Sequence, residues 1–390
     1  MGESMITGGA GAGVLLQLMR DGRPRTRAEL TQLTGLARST VGARVDLLLH
    51  NGLLAPAGEA VSTGGRPPAT FAFNPSAGVV LAADLGATHA TVAVTDLAAT
   101  VLAERVESME ITLGPRAVLD RMLQIGAELL AETGRTTVVG TGIGLPGPVE
   151  HSTGRPNNPP IMPGWDGYDV PGHVAAVMGG PVLVDNDVNL MALGEHAVVY
   201  PDVDHLLFVK IATGIGAGII NGGVLHRGAQ GVAGDLGHVQ AMGSHEVACR
   251  CGNLGCLEAV AAGPAIAARV RDAGGDAADV GALIDLVRAG DVVAANEVRA
   301  AGRRIGEVLA SCVSLLNPSV VVIGGQLANA AESLLAGVRE VVYARSLPLA
   351  TGSLQIVSAR TGGQAGVLGA ATMVLQHVLS PSEVDARLVG

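Results

Sequence analysis

Apolar residues recur at helical spacing in three short runs near the start of the chain. From Gly13 to Arg20 the run Val14-Leu15-Leu16-x-Leu18-Met19 predicts a first helix. Arg27 to Leu33 predicts a second, closed by Thr34-Gly35-Leu36, and a third begins at Arg38-Ser39-Thr40, with Ser39 or Thr40 as its expected N-cap. Val41, Val45, Leu48 and Leu49 keep one face of the third helix apolar until Asn51-Gly52 ends it. Leu53 to Pro56 and Glu59 to Phe73, around Gly64-Gly65-Arg66-Pro67-Pro68, then predict a hairpin. Three helices with a Gly-bearing turn between the second and third, followed by a hairpin, form a winged helix-turn-helix pattern over residues 12–75. Residues 1–11 are Gly-rich and expected to be disordered.

From Ala77 the texture changes to short β-branched runs alternating with Ala/Leu-rich ones. Strands are expected at Val79–Leu85, Thr91–Thr95, Thr137–Gly144, Val182–Val184, His205–Ile211 and Ser319–Ile323. Helices are expected at Leu119–Thr133, Leu190–Val199 and Val293–Leu316, and this alternation indicates an α/β body over residues 76–390. The stretches from Leu81 and from Phe208 each run from a strand through a small-residue loop into another strand, an echo that two similar lobes facing a cleft would produce.

Composition narrows the class. With 48% apolar residues the chain can bury two or three domains, and no run of eighteen apolar residues suggests a membrane span. No basic residue precedes Arg20, so a secretory signal is not expected and the protein is read as cytoplasmic. The net charge is −10, yet residues 1–75 carry +2 and the remainder −12, which suggests an anion-seeking module on an acidic body. Lys210 is the only lysine, so the basic character is almost all arginine, the residue suited to bidentate contacts with phosphate and guanine.

Four groups of residues carry candidate chemistry. Arg38, Ser39, Thr40 and Arg44 lie at the start and on the open face of the third helix, and Arg66 sits at the hairpin tip, a placement suited to a major groove with an adjoining minor groove. The alternative for this module is a small helical dimerisation unit with solvated arginines. His238, Cys249, Cys251 and Cys256 supply three thiolates and an imidazole, a closed tetrahedral shell of the structural zinc type, against the alternative of reactive or disulfide-bonded thiols. Cys312, inside a long Ala/Leu/Val helix, is expected to be a buried apolar residue. Asp185-Asn186-Asp187 ends a strand and opens a helix, where Asp187 is either a general base or a helix cap. Asp84-x-Gly86-x-Thr88, Thr213-Gly214-Ile-Gly216 and Gly324-Gly325 are glycine loops after strands, suited to phosphate or simply to turns.

In this order, together with Gly142-Ile-Gly-Leu-Pro-Gly-Pro148, Pro163-Gly-Trp165 and Gly234-Asp-Leu-Gly-His238, these motifs resemble the ROK family of repressors and sugar kinases over nearly the whole chain. The resemblance implies an α/β fold class: a winged helix-turn-helix followed by a two-lobed, actin-like ATPase or sugar-kinase (ribonuclease H-like) body. It further implies that Asn186, Asp187, Asp235, His238 and Glu258 contact a sugar, that Asp187 is the base in kinase members, and that His238 binds structural zinc through one ring nitrogen and a sugar hydroxyl through the other. The glycine loops would hold Mg-ATP if kinase activity is retained. Departures bear on that point. Ala87 and Ala212 stand where glycine is usual, Asp235 where glutamate is usual, and Ile161 where asparagine is usual, with Asn157 and Asn158 nearby as substitutes. The balance is a sugar-responsive DNA-binding regulator, a homodimer or homotetramer with operator DNA and a sugar effector as partners. The alternative is an active ATP-dependent sugar kinase with an appended DNA-binding module.

Overall fold

The computed structural model describes residues 11–59 and 67–389. Of the expected disordered stretch all but Gly11 falls outside these residues, as do Arg66 and the rest of the hairpin tip. The N-terminal module comprises α1 (Ala12–Met19), β1 (Arg25–Thr26), α2 (Arg27–Thr34), α3 (Arg38–His50), β2 (Leu54–Glu59) and β3 (Ala69–Phe73), with the antiparallel sheet order β1-β3-β2 of a winged helix. A reciprocal capping box opens α2: Thr26 Oγ1 accepts the Glu29 N–H at 3.2 Å, and Glu29 Oε2 accepts the Thr26 N–H at 2.6 Å. Gly35, at φ 67°, closes it. The expected Ser39 or Thr40 cap of α3 is not formed. The helix starts at Arg38, its N-cap Ala37 two to three residues before the expected one, with no side-chain partner for its first N–H groups.

Lobe one contains β4 (Val79–Leu85), β5 (His89–Asp96), β6 (Val101–Ser108), α4 (Pro115–Thr133), β7 (Val138–Leu145), the small pair β8 (Val149–Glu150) and β9 (Arg155–Pro156), α5 (Val170–Met178) and β10 (Val182–Asn186). Helix α6 (Asp187–Val199) leads into lobe two. That lobe contains β11 (His205–Ile211), β12 (Ile215–Asn221), β13 (Val224–His226), α7 (Leu257–Ala261), α8 (Gly263–Asp272), α9 (Val280–Arg288), α10 (Val292–Leu316), β14 (Val320–Gly324), α11 (Ala331–Arg345), α12 (Pro348–Thr351) and β15 (Gln355–Ser358). Helices α13 (Ala365–Val378) and α14 (Pro381–Val389) finish the chain.

The two lobe sheets have one topology. Their orders are β6-β5-β4-β7-β10 and β13-β12-β11-β14-β15: in each an antiparallel meander of three strands receives two parallel strands beside its first. The sequence echo between β4-loop-β5 and β11-loop-β12 is therefore structural, as expected of a duplicated actin-like body. Helices α6 and α13 form the layer between the sheets, α6 on β11 and β12, α13 on β4 and β7. Glycine makes their approach possible: a Cβ on Gly369 would stand 1.8 Å from the Leu190 carbonyl oxygen, and one on Gly194 would stand 2.1 Å from that of Ala365. Alanine at either place would force the helices apart.

One apolar cluster crosses from the N-terminal module into the end of the chain. Leu15, Leu16 and Met19 of α1 and Val41, Val45 and Leu48 of α3 share it with Val374, Val378, Leu379 and Val384. The Gly13 N–H donates to Asp385 Oδ1 at 2.8 Å, and the Gln17 side-chain amide donates to the Leu379 carbonyl.

Candidate functional site

The cleft between the lobes collects the strand ends of both sheets, because parallel strands deliver their C-terminal residues to one edge. Asn186, last in β10, caps α6: its Oδ1 accepts the Val188 N–H at 3.0 Å while Nδ2 donates to the Gly147 carbonyl at 3.1 Å. Asp187 follows as the first helical residue, 3% exposed, its carboxylate favoured by the positive end of the helix. Its Oδ2 lies 2.5 Å from Lys210 Nζ, near the end of β11. Burial opposes the Lys210 charge, but Asp187, Asp84 and Glu258 outweigh it and hold the ammonium above its ordinary pKa. Asp84, near the end of β4, is pushed up to about 7 by burial and by the Asp187 charge.

Asp185, which the motif alone gives no role of its own, is a buried hub. It pairs with Arg227 Nε at 2.6 Å, stands 3.4 Å from His151 Nδ1 and accepts from Asn189 Nδ2 at 2.8 Å, so a lobe-one carboxylate is tied to the arginine that follows β13 in lobe two. Lys210 was visible only as the sole lysine, and nothing in strand patterning marks it as a cleft residue. The buried Asn189 Oδ1 has no hydrogen-bond partner among the described residues.

Two cavities occupy the cleft. The first, about 190 Å³, is lined by all five carried-over sugar residues, Asn186, Asp187, Asp235, His238 and Glu258. Glu258, on α7, accepts the Ile215 N–H at 3.1 Å and so holds the loop between β11 and β12. Ile161 also lines this cavity, whereas Asn157 and Asn158 do not. The second, about 490 Å³, is lined by Asp84, Gly86, Thr88, Thr213, Gly324 and Gly325, as expected of the glycine loops. Gly214 and Gly216 instead line the first cavity. Ala87, Lys210 and Thr213 border both.

Beside the first cavity, His238, Cys249, Cys251 and Cys256 bring their ligand atoms within 4.8 Å of one another, a cluster that could hold a metal ion. Cys251 Sγ and Cys256 Sγ are 3.6 Å apart, and Cys249 Sγ lies 3.8 Å from His238 Nδ1. A tetrahedral ion with its usual bond lengths of roughly 2.3 Å to sulfur and 2.0 Å to nitrogen spaces its ligands by about 3.5 to 3.8 Å, within a few tenths of an ångström of these separations, so the set fits. The other ring nitrogen, Nε2, is 4.0 Å from Asp235 Oδ1. The Cys256 thiol is pushed up to about 12 by burial and by the other two sulfurs, crowding that a shared cation relieves. Cys312 is half-buried against the lobe-two core, less enclosed than expected.

In the N-terminal module Arg38 and Ser39 are exposed, and Thr40 and Arg44 half-buried. Arg25 pairs with Asp21, and Arg27 pairs with Asp46 and lies 4.8 Å over the Phe71 ring. Among the described residues no ion pair engages Arg38 or Arg44, and Arg44 Nη1 has no hydrogen-bond partner.

The ROK family profile matches residues 80–377, and the chain belongs to that family. It falls in the transcriptional-regulator branch. A xylose repressor of Caldicellulosiruptor bescii is 27% identical over 383 residues, covering 94% of this chain and 96% of that protein. The crystal structure of a ROK family transcriptional regulator, a homologue of the E. coli MLC protein, superposes with a TM-score of 0.83 at 27% identity, covering 97% of this chain and 98% of that one. A Streptomyces griseus ROK glucokinase in complex with glucose and AMPPNP, also 27% identical, has a TM-score of 0.66 and covers only 76% of this chain, although 99% of its own.

The raised Asp84 carboxyl gives a pH signature. An acid whose folded pKa exceeds its unfolded value binds its proton more tightly when folded, so its contribution to stability is full below about pH 4, declines as pH rises towards 7 and stays low above that. Asp84→Asn removes this term. The variant is expected to melt progressively higher relative to the parent from pH 5 to pH 8, measured by circular dichroism. Parallel melting curves across that range would refute the assignment.

Proposed function

We propose that the chain is a sugar-responsive, DNA-binding transcriptional repressor of carbohydrate metabolism. Residues 12–75 form the reading head and residues 76–390 the sensor. The observation that carries this reading is the single apolar core joining α1 and α3 to α13 and α14, since α13 begins at the cleft where Gly366 lies against Asp84. A ligand between the lobes therefore has a physical route to the reading head, and it can shift the head only by its differential affinity for two lobe arrangements.

Arg38 and Ser39, exposed at the start of α3, with half-buried Thr40 and Arg44 behind them, contact base edges and phosphates, the free N–H groups at the helix start add an anion site, and a minor-groove contact is assigned to Arg66, outside the described residues. One module makes few phosphate contacts, so a homodimer or homotetramer on a two-part operator is required for useful affinity. Among the described residues no helix is long and apolar enough to cross a membrane, which is compatible with a cytoplasmic regulator. In the sensor Asn186, Asp187, Asp235, His238 and Glu258 bind the sugar. Structural zinc on His238, Cys249, Cys251 and Cys256 fixes the His238 tautomer, so that Nε2 is presented to a sugar hydroxyl. The gel shift of a fragment from the gene's own promoter region at low salt tests the reading. The intact protein should retard it, a sugar from a panel including xylose, glucose and N-acetylglucosamine should release it, and a version without residues 12–75 should not bind. Identical behaviour of the two proteins overturns it.

A second reading, an ATP-dependent sugar kinase, is favoured by Asp187 lining the first cavity while Asp84, Gly86, Thr88, Thr213, Gly324 and Gly325 frame a second that shares Lys210 and Thr213 with it. Ala87 and Ala212 count against it by adding methyl groups where phosphate must approach backbone. Coupled ADP release over the same sugars should not exceed that of Asp187→Ala. Turnover above that control would establish the kinase.

A further inference from the structure

The two cavities meet at a half-buried cation. Lys210 borders both of them, and its ammonium lies 2.5 Å from Asp187 Oδ2. It is the only lysine among twenty-five basic residues, so this position uses the one compact, three-donor cation in a chain that otherwise relies on arginine. Its strand neighbours make room for it: in register, Lys210 faces Gly216 on β12 and Gly324 on β14. Asp187 is in direct contact with the head group, Asp84 lines the second cavity and Glu258 the first, and the charges of all three favour the ammonium.

Phosphoryl transfer between such cavities requires two things at this place. A divalent cation must bridge the phosphate oxygens, and a carboxylate must be free to take the proton of the attacking hydroxyl. Lys210 takes both positions. Its charge already compensates the carboxylates that would otherwise attract a metal ion, and its hydrogen bond occupies Oδ2 of Asp187, which lines the first cavity.

We propose that Lys210 is a tethered counter-ion standing in place of a divalent cation between Asp84 and Asp187, leaving the cleft able to bind an uncharged sugar without metal and unable to phosphorylate it. A neutral side chain at this position would leave Asp187 on the first cavity and Asp84 on the second without the cation they share, and paired carboxylates capture hard cations through oxygen. The metal part of this inference is independent of the ligand; the sugar part rests on the reading given under Proposed function.

The test is a Mn²⁺ titration of the full-length, zinc-loaded chain followed by electron paramagnetic resonance of free Mn²⁺. The thiolate cluster retains zinc in preference to manganese and does not interfere. The parent protein is expected to take up no Mn²⁺ up to about 1 mM, whereas Lys210→Met takes up about one ion per chain and melts higher as Mn²⁺ rises. Adding Asp187→Asn to Lys210→Met should abolish the uptake, and Lys210→Arg should stay metal-free. If Lys210→Met unfolds in plain buffer, recovery of its fold by Mn²⁺ but not by sodium chloride of equal ionic strength is the same result. The proposal is overturned by a parent protein that binds Mn²⁺ in a manner lost in Asp187→Asn, by a folded Lys210→Met that binds none, or by an unfolded one that Mn²⁺ does not restore. Sugar-induced thermal shifts of the parent should be unchanged by EDTA at levels that leave zinc in place, and a loss of those shifts would overturn the metal-free binding. A complete absence of sugar shifts would count against the sensor reading alone, since the Mn²⁺ arms do not use sugar.

Discussion

Cys256→Ser protein should lose on the order of 10–100-fold in sugar affinity while its affinity for DNA changes by no more than roughly twofold. The first effect follows from the chain of contacts beyond the thiol. Cys256 is 1% exposed and forms the N-cap of α7, and two residues on Glu258 holds the Ile215 N–H and with it the loop lining the first cavity. On the other side of the cluster, His238 Nδ1 faces Cys249 Sγ, and in the proposed function a metal held there is what presents Nε2 to the ligand. The fold should survive, because Leu236, Ala241, Leu257 and Val260 anchor both ends of loop 238–258 in the lobe-two core. The Ala241 N–H to Gly255 carbonyl and Leu257 N–H to Val239 carbonyl bonds, at 2.8 and 2.9 Å, keep it closed. The small effect on DNA follows because none of these residues belongs to the core shared by α1 and α3. Metal analysis, calorimetric sugar titration and fluorescence anisotropy on operator DNA measure the three quantities. Zinc below one per chain with unchanged sugar affinity would separate the cluster from the ligand site and defeat the prediction.

What could be read from residue order was whatever local chemistry determines. The reading-head helices have clean apolar faces and glycine stops, the lobe-one and lobe-two strands are β-branched, and three cysteines with a histidine carry their meaning in side-chain type. Elements governed by tertiary context were not read. Strand β6 was missed because it is a sheet edge whose inward positions are charged: Arg105 pairs with Glu128 and Glu132, and Glu107 pairs with Arg121 at 2.6 Å, so apolar alternation never appears. Helix α13 was missed for the opposite reason. Packed between α6 and the lobe-one sheet, it is apolar and glycine-bearing all round and has no polar face to set a period. The N-cap of α3 was misplaced because Ser39 and Thr40 satisfy a local preference that the turn overrides. In the cleft, Asp187 and the glycine loops were legible as motifs, but Lys210, Asp185 and Arg227 gain their roles only when β10, β11 and the segment after β13 converge.

Helix α13 packs at one end against the cleft and at the other against the N-terminal module, so under the proposed function loosening its far end should uncouple sensing from DNA binding. Its first residues touch the cleft, since a Cβ on Gly366 would stand 2.1 Å from Asp84 Oδ2. Its last residues, with Leu379 and Val384 beyond, pack under Leu15, Leu16 and Met19 of α1. Two polar contacts orient the reading head on this support: the Gly13 N–H to Asp385, and Gln17 to the Leu379 carbonyl. Neither side chain lines a cavity or belongs to α3, so replacing them leaves the residues proposed to contact sugar and DNA in place. Allosteric coupling of ordinary size is about 1–3 kcal/mol, or roughly 5- to 150-fold in affinity. In Gln17→Ala/Asp385→Ala protein the ratio of DNA affinities without and with sugar should fall by on the order of fivefold or more, while each affinity measured alone stays within roughly threefold. Anisotropy titrations on operator DNA at fixed salt, with and without saturating sugar, give that ratio. An unchanged ratio in the double variant would show that the lobe movement reaches α3 by another route, through the β4–β5 side of lobe one.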